Sequence, residues 1–67
     1  MEIISNFDLG DFLSSETMEF QVVSIVIYES YIGYTCYAAN GDIVTMPEDQ
    51  LYESTEQDFD ELRLRIS

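Results

Sequence analysis

The longest apolar run of the chain covers residues 18–28, MEFQVVSIVIY, and polar side chains interrupt it only at isolated positions. It is rich in Val, Ile and Phe, which favour a pleated and partly buried backbone. A nearly continuous apolar run of this kind is typical of a strand that is covered over much of both faces. The pattern therefore predicts a long strand over residues 18–28.

Two shorter segments continue the strand pattern after Glu29 and Ser30. The segment 31–39, YIGYTCYAA, alternates, and successive side chains of a strand point to opposite faces. One face would carry Tyr31, Thr35 and Tyr37, and the other Ile32, Tyr34 and Cys36. Residues 40–42, NGD, are a strong turn signal, and residues 43–46 follow as a third strand that Pro47 ends. An antiparallel meander is therefore expected.

Helical signals lie at both ends of the chain. Residues 6–15 are predicted as an N-terminal helix that Asn6 caps, although Gly10 in its middle is unfavourable. Residues 47–53, PEDQLYE, suit the start of a helical turn. Ser54 with Gln57 has the spacing of a capping box, which predicts a C-terminal helix. Residues 62–66 fit either the end of this helix or an edge strand.

These elements predict one domain over residues 1–67 in the α+β class, with a small antiparallel sheet of three or more strands and one or two short helices. A folded chain of this length should have a radius of gyration of about 11 Å. Because so small a sheet leaves edges or a face poorly covered, the sequence also allows a homodimer.

The charge balance is the most unusual feature of the composition. Fourteen acidic residues face only Arg63 and Arg65, giving a net charge of −12. Soluble small domains need a net charge of about 2 to 8 in magnitude, so these carboxylates repel one another beyond what solubility requires. They form either an ordinary solvated surface or a functional one. They also disfavour direct binding to nucleic acid or anionic membranes, which Lys and Arg mediate.

The residue types present exclude most catalytic chemistry. Histidine and lysine are absent, so Ser-His and Cys-His nucleophile pairs and lysine Schiff bases cannot form. Cys36 is the single cysteine, which suggests an intracellular protein and, for this thiol, a small buried hydrophobe. The segment MEIISNFDLG has neither a basic region nor a long apolar stretch, so no signal peptide or membrane span is expected there. We predict a protein that is not an enzyme and has no cofactor or metal.

Carboxylates on a folded surface can imitate a row of phosphates. Duplex DNA presents about one charge per 1.7 Å of axis, and carboxylates two residues apart on a strand are separated by roughly 6.6 Å. An acidic domain can therefore compete with DNA for a basic groove through steering and charge-assisted hydrogen bonds, without a catalytic group of its own.

Four features occur in order along the chain: an N-terminal segment led by an asparagine, an apolar strand, Glu29-Ser30 before large apolar residues, and Met-Pro-Glu-Asp at 46–49. Together they resemble the small acidic phage inhibitors of uracil-DNA glycosylase. The resemblance implies a DNA mimic in the cytoplasm of a bacterial host, encoded by a phage or mobile element. It further implies that the partner-binding residues include Glu29, Ser30 and Tyr31 at a strand edge, with Glu48 and Asp49 as added mimic charges. Finally, it implies an apolar pocket that receives a leucine of the enzyme, formed by Ile32, Tyr34, Val44 and Met46.

Other interpretations stay open. Tyr28 and Tyr31 are equally typical of a plain hairpin with a cross-strand aromatic pair. The target could instead be another DNA-binding protein, such as a CRISPR effector or a restriction enzyme. The strand-turn-strand pattern followed by MPEDQLYES also resembles small SH3-like phage adaptor domains, which would imply binding to a protein partner through the tyrosines.

Overall fold

The computed structural model describes residues 5–66, which form a five-stranded antiparallel sheet and one helix. The strands are β1 (Phe12–Ser14), β2 (Glu19–Ile27), β3 (Ile32–Ala38), β4 (Ile43–Pro47) and β5 (Tyr52–Glu53). A 3₁₀ turn (Glu48–Gln50) separates β4 from β5, and the helix α1 (Glu56–Ile66) follows. The predicted fold class, a small α+β domain, is confirmed.

The sheet has the strand order β4-β3-β2-β1-β5. Strands β2, β3 and β4 form the meander expected from the sequence, with Ile27 paired to Ile32 at the first hairpin. A bulge between Val22 and Ser24 shifts the register of β2 against β3. Strand β1 pairs with β2 on one side and with the short β5 on the other, so the first and last strands are neighbours.

The core lies on one face of the sheet because alternate strand residues point there. Tyr34 and Cys36 of β3 are fully buried, as the predicted alternation requires, and they contact Leu13 of β1 and Val22 of β2 within one cluster. The prediction that Cys36 is a buried hydrophobe is confirmed. Burial raises the pKa of the Cys36 thiol to about 11. The radius of gyration is 11.9 Å, close to the expected value.

The helix α1 covers part of the opposite face. Phe59 is buried there, with its ring centroid 5.5 Å from that of Phe12 and 6.3 Å from that of Tyr37. Farther along this face the sheet presents uncharged side chains such as Thr35 and Thr45, whose hydroxyl oxygens are 3.0 Å apart. No helix within residues 5–66 is long and apolar enough to cross a membrane.

The N-terminal helix predicted over residues 6–15 is wrong. Gly10 has φ of +85°, outside the helical region, and the Asp8 N–H donates to the Asp11 carboxylate. The Gly10 N–H then donates to the Val22 carbonyl at 2.9 Å, and the chain continues into β1. Pairing with β2 therefore overrides the weak local helical pattern, and Asn6 caps no helix.

The C-terminal helix is confirmed, but its cap lies one residue later than predicted. The Asp58 N–H donates to the Thr55 hydroxyl at 3.1 Å, whereas the Ser54 hydroxyl donates to the Glu19 carboxylate. The ambiguous segment 62–66 is helical through Ile66. Residues 47–53 supply one 3₁₀ turn and then β5, so the helical start predicted there does not extend.

Candidate functional site

An open groove of about 1020 Å³ lies between the β2–β3 turn and the 3₁₀ turn. Six of the nine residues predicted to bind a partner line it: Glu29, Ser30, Tyr31, Ile32, Glu48 and Asp49. Four of these come from the β2–β3 turn and the first residue of β3, and two come from the 3₁₀ turn, which follows β4. The fold thus brings together two segments that are separated by a full hairpin in the sequence.

The β2–β3 turn forms one wall of the groove. The Tyr28 N–H donates to the Tyr31 carbonyl at 2.9 Å, and the two rings stack with centroids 4.5 Å apart and planes 19° apart. The aromatic pair of Tyr28 and Tyr31 that the sequence suggests is therefore present. Glu29 and Ser30 lie exposed at the tip between these tyrosines, so the pair fixes the base from which they project.

The position of Tyr28 depends on Gly33 in the neighbouring strand β3. A Cβ atom at Gly33 would lie 2.9 Å from Cε2 of Tyr28, closer than a carbon contact allows. The absence of a side chain at Gly33 therefore lets the Tyr28 ring lie against the sheet. Tyr28 thus lies between β3 and Tyr31. Tyr31, the outer ring of the stack, is half exposed and faces outward.

Glu48 anchors the other wall. Its carboxylate accepts hydrogen bonds from the Asn6 side-chain amide at 2.8 Å, the Asn6 N–H at 3.2 Å and the Tyr34 hydroxyl at 2.6 Å. The Tyr34 hydroxyl in turn accepts from the Phe7 N–H at 3.3 Å. Burial, and next the hydrogen bond to Glu48, raises the pKa of Tyr34 above its ordinary value. This network holds the N-terminal segment against the 3₁₀ turn.

Glu48 therefore differs from Asp49 although both were predicted as mimic charges. Glu48 is half buried and positions the wall, whereas Asp49 is exposed in the groove.

The remaining three predicted residues do not lie in the groove. Tyr34 is fully buried, and Val44 and Met46 pack, partly buried, against the core. Their alternation on β3 and β4 points them to the inner face of the sheet, where Ile32 packs against the same core cluster and also lines the groove. The apolar pocket of Ile32, Tyr34, Val44 and Met46 stays a prediction.

The groove continues along one side of the molecule as a series of hollows rich in carboxylates. A second hollow shares Asp49 and Gln50 with the groove, and a third shares Ser15, Glu16 and Tyr52 with the second. We call this surface the acidic face, and define it by its carboxylates Glu16, Glu29, Glu48, Asp49, Asp58 and Glu61. Arg65, in the last turn of α1, lies at the far end of this face.

Sequence reasoning missed Asn6 and Phe7 as groove residues. The bonds from Asn6 to Glu48 join positions 42 residues apart, and no local pattern indicates such a contact. Leu51 was missed for a related reason, because its burial under the groove follows from the packing of the 3₁₀ turn on the core.

The described part of the site combines exposed carboxylates with exposed tyrosine rings. Within residues 5–66, no group of three or more histidine, cysteine or acidic side chains is arranged to hold a metal ion. Exposed carboxylates beside tyrosine rings suit contact with a cationic surface. In comparisons with known proteins, no family model matches the chain, and neither a curated protein nor a solved structure matches it.

Proposed function

We propose that this chain is an acidic DNA mimic that inhibits a DNA-handling enzyme, most concretely uracil-DNA glycosylase, by occupying its DNA-binding cleft. The protein performs no catalysis itself and needs neither cofactor nor metal. In this proposal it acts in the cytoplasm of a bacterial host, encoded by a phage or mobile element, and binds neither nucleic acid nor membrane.

The single observation that carries the proposal is the arrangement of carboxylates in and beyond the groove. Glu29, Glu48 and Asp49 come from two distant segments and line the groove, and the acidic face continues from there to Asp58 and Glu61 of the helix. Carboxylates brought together in this way repel one another, and a cationic partner offsets the repulsion. A basic cleft that holds a phosphate row is complementary to such a face.

The proposed contact begins at the groove. Glu29 projects from the tip of a hairpin whose base is fixed by the stacked tyrosines, and Asp49 stands on the opposite wall. Rigid placement lowers the entropy that is lost on binding, so the two carboxylates can form charge-assisted hydrogen bonds at little additional cost. The rest of the acidic face would speed association by electrostatic steering.

The direct test is uracil excision from a duplex oligonucleotide by a bacterial uracil-DNA glycosylase as the protein is titrated to micromolar excess. We expect excision to stop, and undiminished excision would exclude this target. Displacement of labelled duplex from a CRISPR effector and from a restriction enzyme, followed by fluorescence anisotropy, then tests the alternatives. If no DNA-binding protein releases its duplex, the proposal fails.

A matched pair of variants separates insertion into the cleft from general repulsion. Glu29→Gln and Asp60→Asn each remove one charge from an exposed side chain, but only Glu29 lines the groove. A charge-assisted hydrogen bond contributes about 1.5–3 kcal/mol, so Glu29→Gln should raise the half-inhibitory concentration about tenfold or more. Asp60→Asn should change it less than about twofold. Equal effects would contradict specific placement in a cleft.

The strand order favours a second candidate, a small SH3-like adaptor that binds a protein partner. In that class of barrel the first strand pairs with both the second and the last strand, and a 3₁₀ turn precedes the last strand, as in this chain. An adaptor that uses its tyrosines would bind with weak dependence on salt. A DNA mimic would lose affinity steeply as salt rises, so a binding series across salt concentrations distinguishes the two.

A further inference from the structure

We infer that the groove receives an arginine side chain of the partner protein, with the guanidinium stacked on Tyr31 and paired with the carboxylates of the groove. This inference names the chemistry of the partner at the same site, and so it rests on the proposed function. It adds a residue type, arginine, and a stacking surface, Tyr31, that a phosphate-like charge row alone does not specify.

The stacked tyrosines supply the platform. The edge of the Tyr28 ring approaches the backbone of β3 at Gly33, and the ring stacks on Tyr31, with 40 % of Tyr28 still exposed. Tyr31 is 50 % exposed, although an aromatic ring of this size is usually better buried in a folded domain. The stack therefore presents two partly exposed rings, of which Tyr31 is the more accessible.

The charges around this ring select a cation. Glu29 adjoins the tyrosine pair in the chain, and Glu48 and Asp49 line the same groove. Neither arginine of the chain lies there, because Arg63 and Arg65 are in the last turn of α1 and the residues around the groove include no basic side chain. Both oxygens of Glu48 already accept hydrogen bonds from Asn6 and Tyr34, so its charge is fixed in place.

Arginine fits this combination better than lysine does. Its guanidinium is planar, stacks on an aromatic ring and donates in a fork that matches a carboxylate, whereas the lysine ammonium is compact and strongly hydrated. A nucleobase would also stack on a tyrosine, but it would bring phosphates towards a molecule with a net charge of −12. The groove therefore favours the arginines that a DNA-binding cleft presents.

The experiment uses two capped peptides, one with four arginines and one with four lysines, titrated into the isotopically labelled protein at one ionic strength. Two-dimensional NMR reports both the affinity and the residues that move. We expect the arginine peptide to bind more tightly and to shift the signals of residues 28–33 and 47–51. Equal affinity for both peptides, or shifts spread over the whole acidic face, would overturn the inference.

A matched tyrosine pair supplies the control. Tyr31→Leu removes the stacking ring and keeps the charge, and Tyr52→Leu removes another exposed ring, 55 % accessible, from the acidic face outside the groove. Tyr31→Leu should weaken binding of the arginine peptide about two- to fivefold, the magnitude of an exposed cation–π contact, and should reduce the preference over lysine. Tyr52→Leu should leave both affinities unchanged, and an equal loss in both variants would contradict stacking at the groove.

The two proposals fail in different ways. A protein that binds arginine peptide at the groove but displaces no DNA from any enzyme would refute the inhibitor function and retain the arginine site. A protein that blocks uracil excision yet binds arginine and lysine peptides equally would retain inhibition by charge and refute the arginine site.

Discussion

The hydroxyl of Tyr34 connects three parts of the molecule that form the groove, and Tyr34→Phe removes it without changing the shape of the ring. The hydroxyl donates to the Glu48 carboxylate at 2.6 Å and accepts from the Phe7 N–H at 3.3 Å, and no other part of this side chain is polar. The variant therefore takes one donor from a carboxylate and leaves a buried backbone N–H without its partner.

The expected cost follows from these two bonds. A hydrogen bond to a charged group contributes about 1.5–3 kcal/mol, and a buried group left without a partner costs about 1–3 kcal/mol. Since the Asn6 amide still donates to Glu48 and the groove admits water there, we expect a total of about 2–4 kcal/mol. A domain of 67 residues has about 3–10 kcal/mol of unfolding free energy. The melting temperature should therefore fall by roughly 10–30 °C.

Urea unfolding followed by far-UV circular dichroism at neutral pH measures this loss, because the chain has no tryptophan to report by fluorescence. Tyr52→Phe is the control: its ring is 55 % exposed, and we expect a change below about 0.5 kcal/mol. A double-mutant cycle with Glu48→Gln should give a coupling of about 1 kcal/mol or more. A loss for Tyr34→Phe no larger than that for Tyr52→Phe would refute the claim that this hydroxyl holds the groove wall.

Three further outcomes are expected. The melting temperature of the isolated protein should rise with added salt, because screening weakens the repulsion behind the net charge of −12; a melting temperature indifferent to salt would contradict clustered carboxylates. Burial raises the pKa of the Cys36 thiol to about 11 from an ordinary 9.0. The protonated thiol therefore contributes fully to the unfolding free energy below pH 9, and this contribution is lost as the pH rises towards 11. Cys36→Ala should therefore reduce the alkaline loss in urea midpoints measured from pH 7 to 10.5, and an unchanged loss would show that other groups cause it. Gly33→Ala should displace the Tyr28 ring, because the added Cβ would lie 2.9 Å from it. The variant should weaken arginine-peptide binding about two- to fivefold, while the free energy of unfolding changes by less than about 1 kcal/mol. Unchanged peptide affinity would show that the stack tolerates the shift.

The structure assigns separate roles to carboxylates that look alike in the sequence. Glu19 accepts from the hydroxyls of Ser14 and Ser54 and so ties β2 to β1 and to the segment after β5. Glu48 likewise accepts a hydrogen bond from Asn6 and so links the N-terminal segment to the 3₁₀ turn, whereas Glu29 and Asp49 are exposed. A substitution at Glu19 or Glu48 should reduce folding stability more than partner binding. A substitution at Glu29 or Asp49 should weaken binding more than stability.

Sequence reasoning located the meander because its signals are local. The β-branched run, the alternation across β3, and the Asn-Gly pair before β4 each depend on neighbours within a few residues. Gly41 has φ of +96°, as the turn signal at 40–42 requires. The helix α1 was recognised for the same reason, although Thr55 and Ser54 are too similar as caps for the pattern to choose between them.

The sequence by itself determined the α+β class, the central strands, the burial of Cys36, the strongly negative charge, and the exclusion of histidine- and lysine-based chemistry. Only the tertiary structure decided that residues 12–14 form a strand and that Asn6 binds Glu48 across 42 positions. It also decided that Tyr34 belongs to the core while Tyr31 faces outward. These outcomes depend on pairing between segments that are distant in the sequence. The free energy of this pairing outweighs local conformational preferences of about 1 kcal/mol per residue. Such pairing produces no periodic pattern in the sequence.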